Sequence, residues 1–78
     1  MNLYLISQNK NVDYDTYDSA VVAAETTEAA RLTLPSGYSR FREGGDWCES
    51  PADVTVLYLG RARAGLAAGV VLASFNAG

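Results

Sequence analysis

Apolar residues in this chain gather into short blocks separated by polar or glycine-containing stretches, and the blocks predict four strands and one helix. Asn2–Ser7 (Asn-Leu-Tyr-Leu-Ile-Ser) is apolar on both alternating faces, as expected of a central strand. Gln8–Asp15 is polar and asparagine-rich and reads as a loop. Tyr17–Ala24 is the second strand; its valines favour extended structure, although its alanines would tolerate a helix. Glu25–Leu32 has the marks of a helix. Thr26 can cap it, Glu28 sits in the first turn, Arg31 in the last, and Pro35-Ser36-Gly37 stops it. Its small apolar face, Ala29, Ala30 and Leu34 with Leu32 alongside, suits close packing on a sheet.

The second half repeats the strand pattern after an irregular stretch. Tyr38–Glu49 has no clean period and is long for a loop, so it is either functional or tied down by Tyr38, Phe41 and Trp47. Ser50-Pro51-Ala52-Asp53 is a helical-turn signal, with Ser as cap and Pro at the first position. Val54–Leu59 and Val70–Phe75 are strands, joined through the alanine- and glycine-rich Gly60–Gly69. The predicted fold class is α+β: a small, mainly antiparallel four-stranded sheet in the order β-β-α-β-β. One helix covers one face, and the opposite face meets solvent or another copy.

Composition narrows what such a fold can do. Seventy-eight residues make one domain with a thin core, marginal in stability unless it associates. Hydrophobic residues are 49% and charged residues only 19%, so apolar surface is left over for self-association or a partner. The net charge of -3 argues against binding nucleic acid through its phosphates, although Arg40/Arg42 and Arg61/Arg63 form local basic spots. One cysteine cannot form an internal disulfide, and no leader-like or membrane-spanning apolar run is present. The chain is expected to be soluble and cytoplasmic.

Little catalytic chemistry is on offer. The absence of histidine removes the commonest general base and metal ligand. Zinc has no plausible ligand set, and a Cys48 nucleophile would lack its usual base, so Cys48 reads as a small, partly buried hydrophobe beside Trp47. Asp13, Asp15 and Asp18 alternate like calcium ligands but lack the central glycine and distal glutamate of a helix–loop–helix site. Gly44-Gly45 reads as a turn, lacking the lysine and hydroxyl residue of a phosphate loop. Carboxylate pairs such as Asp15/Asp18 or Glu43/Asp46 have spacing alone to recommend them. No metal, cofactor or enzymatic activity is expected.

What stands out is a surface for another macromolecule. Between Lys10 and Arg31 lie five acids and no base, and Asp13-Tyr14-Asp15-Thr16-Tyr17-Asp18 interleaves aromatics with aspartates. Tyr and Trp are favoured at protein interfaces. Tyr4 and Tyr58 read as sheet core, which leaves Asp13, Tyr14, Asp15, Tyr17, Asp18 and Trp47 as the partner-binding candidates. A carboxylate-rich patch with aromatic anchors can compete for a basic groove that normally holds nucleic acid. Arg61 and Arg63, just past a strand, either stay solvated or pair with the acids of a second copy.

The segments Asn2–Ser7, Tyr14–Ala24, Glu28–Arg31, Trp47–Val56, Leu59-Gly60 and the ending Gly69–Gly78 resemble a family of small proteins encoded by bacteriophages and prophages. No catalytic motif comes with the resemblance. It implies an accessory protein acting in the cytoplasm of a bacterial host. Small acidic phage proteins of this kind include inhibitors of host defence, anti-CRISPR proteins among them. The expected function is therefore protein–protein binding that inhibits a host defence protein or nuclease. The alternative is a homo-oligomeric structural or phage assembly module.

Overall fold

A computed structural model of the chain describes residues 1–77. Its elements are β1 (Asn2–Ser7), β2 (Thr16–Ala24), α1 (Thr27–Leu32), a 3₁₀ turn (Pro51–Asp53), β3 (Thr55–Arg61) and β4 (Gly69–Asn76). The strands form one antiparallel sheet in the order β3-β1-β2-β4, so the α+β architecture and the element order agree with the hydrophobic pattern. β1 and β2 make the central hairpin, and β3 and β4 add to its two edges. The connection 62–68 therefore crosses the hairpin's end, where the Ala62 N–H bonds the Met1 carbonyl at 3.0 Å.

Alternation along the hairpin decides where the core lies. Tyr4, Ile6, Ala20, Val22 and Ala24 share one face and are buried against Ala30 of α1 and against Trp47, Cys48 and Val54 of the 33–54 segment. An isolated helix of six residues would not persist in water, so α1 exists by its tertiary contacts. Thr26 caps it by accepting from the Ala29 N–H at 3.0 Å, and Ala30 is its buried residue. The Arg31 guanidinium donates to the carbonyls of Val54 and Pro51, clamping α1 to the turn before β3.

Several expectations are corrected. Trp47 is 0% exposed and belongs to the core, so it is not a partner-binding residue at the surface. Phe41 packs on the core beside it, but Tyr38 does not tie the segment down, being 94% exposed. Tyr58 makes an edge-on contact with Tyr4 at 5.8 Å yet stays 56% exposed, because β3 is an edge strand. On α1, Ala29 and Leu32 face solvent, leaving a narrower apolar stripe than the spacing suggested. Cys48 is fully rather than partly buried.

Candidate partner-binding site

The alternation Tyr4, Ile6 carries on to Gln8, which sits on the core side just beyond β1 and is 6% exposed. A buried amide needs all its partners, and Gln8 has them. Its Nε2 donates to the carbonyls of Asn11 at 2.8 Å and Tyr17 at 2.9 Å. Its Oε1 accepts from the N–H groups of Lys10 at 3.0 Å and Asn11 at 2.8 Å. This one side chain shapes the β1–β2 connection. Asn11 continues the network, its Nδ2 donating to the carbonyls of Gly45 at 2.7 Å and Trp47 at 3.1 Å. The Tyr17 N–H bonds the Asp46 carbonyl at 2.8 Å, so residues 45–47 are stitched beneath the loop. Neither glutamine nor asparagine stood out in the sequence; the signal was a polar residue continuing a buried alternation.

The turn itself is tethered to the end of β4. The Asp15 N–H bonds the Asn76 carbonyl at 2.6 Å, Thr16 Oγ1 donates to the Asp13 carbonyl at 2.6 Å, and Asn76 Nδ2 reaches the same carbonyl at 3.4 Å. Asp15 has φ 60°, the left-handed region that aspartate and asparagine tolerate better than other non-glycine residues. This bend holds Tyr14 out, 75% exposed, between the exposed Asp13 and Asp15.

Asp18 is also exposed. It lies where the β2–β4 register shifts between Tyr17 and Ser19, and the Ser19 hydroxyl donates to its Oδ1 at 3.3 Å. Tyr17 points inward instead, half-buried against the core, with its ring 4.9 Å from that of Phe75. The fold therefore brings Asp13, Tyr14, Asp15 and Asp18 to the surface at one end of the sheet. Tyr17 supports them from behind, and Trp47 supports the loop from below.

This end is not uniformly acidic. A cavity of about 440 Å³ next to the loop is lined by Lys10, Asp13, Arg42, Glu43, Trp47 and Glu49 among others, so two bases temper the field of the aspartates. Trp47 Nε1, on a residue lining this cavity, and Asp46 Oδ1 are buried without a hydrogen-bond partner among the described residues. Among those residues, no three His, Cys, Asp or Glu side chains converge on a metal-sized site. Cys48 is held as the thiol. Burial first, and the charge of Asp53 second, push its pKa up, while its Sγ–H bonds the Ser50 carbonyl at 3.3 Å. Such a group is neither a nucleophile nor a ready ligand.

No helix among the described residues is long and apolar enough to cross a membrane. Compared with protein-family models, curated proteins and solved structures, the chain matches none.

Proposed function

We propose that this chain acts by binding another protein, as a phage accessory protein that inhibits a bacterial defence protein or nuclease in the anti-CRISPR manner. The observation that carries the binding reading is the turn Asp13–Asp15, which is pinned to β4 through Asn76 and closed on itself by the Thr16 hydroxyl, yet leaves Tyr14 and its flanking carboxylates exposed. An ordered loop loses less entropy on docking than a mobile one, and an aromatic between charges supplies both an anchor and electrostatic steering. The bacterial setting comes from the resemblance to phage-encoded proteins, and a basic, nucleic-acid-handling partner follows from the sign of the patch. Binding is the whole of the proposed action, without catalysis.

The test is affinity capture from nuclease-treated bacterial lysate, comparing the parent with an Asp13→Asn/Asp15→Asn/Asp18→Asn variant. Asparagine suits φ 60° at position 15, so this variant removes charge without straining the turn. A nucleic-acid-handling protein held by the parent should bind the variant about tenfold to a hundredfold more weakly, at up to ~1 kcal/mol per exposed charge. Equal recovery by both proteins would remove the acidic turn from the interface. Recovery of the chain alone would favour the assembly role.

A further inference from the structure

The sheet face away from α1 has a composition unlike a solvated one. The strand registers align its residues in rows across all four strands. One row is Leu57, Leu5, Val21 and Leu72. On one side of it runs a row of short hydroxyls, Thr55, Ser7, Ser19 and Ser74. On the other side lie Gly60, Leu3, Ala23 and Gly69, where Ala23 is already covered at 1% exposure. None of these residues is charged, whereas an antiparallel face that meets water normally alternates to polar side chains. Leu57 is 55% exposed and Leu72 69% exposed. Next to Leu72 a shallow groove of about 260 Å³ runs between the leucine row and the hydroxyl row, lined by Leu5, Ser19, Val21, Leu72 and Ser74 among others.

We propose that this face is a homodimer interface, with two copies packed sheet on sheet about a two-fold axis. A two-fold contact uses the same patch twice, so the patch must be complementary to itself. Here it presents a ridge of aliphatic side chains beside a trough of small ones. The ridge of each copy lies in the trough of the other at the roughly 10 Å spacing of packed sheets. The absence of charge matters equally: no like charges are opposed across the axis, and a charged partner would find nothing to pair with. Four strands about 4.8 Å apart and three rows about 6.8 Å apart set an upper limit of roughly 400 Å² per copy, from which the covered Ala23 subtracts. That is at most half the roughly 800 Å² per partner of a standard interface, so the dimer is a weak, dissociating one. The acidic turn lies off this face, so the dimer and the acidic contact stand or fall separately.

Sedimentation velocity from about 5 to about 500 µM tests this. The parent should shift from monomer to dimer across that range, while Leu72→Lys and Leu57→Lys each weaken the dimer at least tenfold by placing an unpaired ammonium in the contact. Leu32→Lys, at a 60% exposed position on α1, should leave the dimer unchanged. Far-UV CD melts of all three variants establish that they fold, and having two face variants guards against the loss of one. A parent that remains monomeric to the highest concentration would overturn the proposal, even if its face binds the apolar dye ANS. A dimer equally strong in both face variants would also overturn it, pointing to pairing through the free β3 or β4 edge.

Discussion

At the scale of single residues, Cys48 and Trp47 lie side by side in the irregular stretch, and both end at 0% exposure because the loop folds back over the sheet. Nothing in their local spacing announces that. Cys48 is the sharper case, since burial and the neighbouring Asp53 hold its proton on. The folded protein should react with a thiol reagent at pH 8 at least about tenfold more slowly than the urea-unfolded chain. The pH dependence has a definite sign. In the unfolded chain the thiol ionises above about pH 8.5, while in the folded state it keeps its proton to higher pH. Its contribution to stability is therefore constant below that point and falls as pH rises through the folded pKa. Urea midpoints from pH 7 to pH 10 should reveal the fall, and Cys48→Ala should lack that component. The exposed aspartates and Tyr14 were legible in the sequence because acids flanking an aromatic resist burial. Gln8 and Asn11 were not, because their importance comes from carbonyls that the fold brings to them.

At the scale of elements, the strands were readable and the helix only in part. β-Branched and aromatic blocks separated by turn residues identify strands wherever they pair, and all four appear within one or two residues of the sequence boundaries. The N-cap Thr26 and the Pro35-Ser36-Gly37 stop of α1 were also legible, although the helix ends earlier, at the C-cap Thr33. Its contacts were not: Arg31 answers the carbonyls of Val54 and Pro51, a partnership across twenty residues or more. Arg31→Met keeps the aliphatic stem but removes these charge-assisted bonds. It should cost about 1.5–3 kcal/mol in urea denaturation, with helical CD lost ahead of the sheet. Arg31→Lys should recover only part of this, having no planar fork.

At the scale of the whole molecule, the acidic turn at one end of the sheet and the uncharged sheet face away from α1 are two surfaces governed by different physics. Raising NaCl from about 50 to about 500 mM should weaken partner capture by the acidic turn, because exposed charges are screened. The same change should leave the proposed homodimer intact or strengthen it, since an uncharged contact has nothing to screen. Loss of both together in a salt titration by sedimentation and capture would mean that one surface serves both contacts. By itself the sequence determined the α+β class, the strands, the helix caps and the exposed acidic turn, because these follow from alternation, turn chemistry and the aversion of carboxylates to burial. Only the tertiary structure decided that Trp47 is core rather than interface. It alone set the β3-β1-β2-β4 order and lined up Leu57, Leu5, Val21 and Leu72 in one row. Burial, register and edge position depend on contacts between residues far apart in the chain, and local patterns do not encode which distant segment arrives.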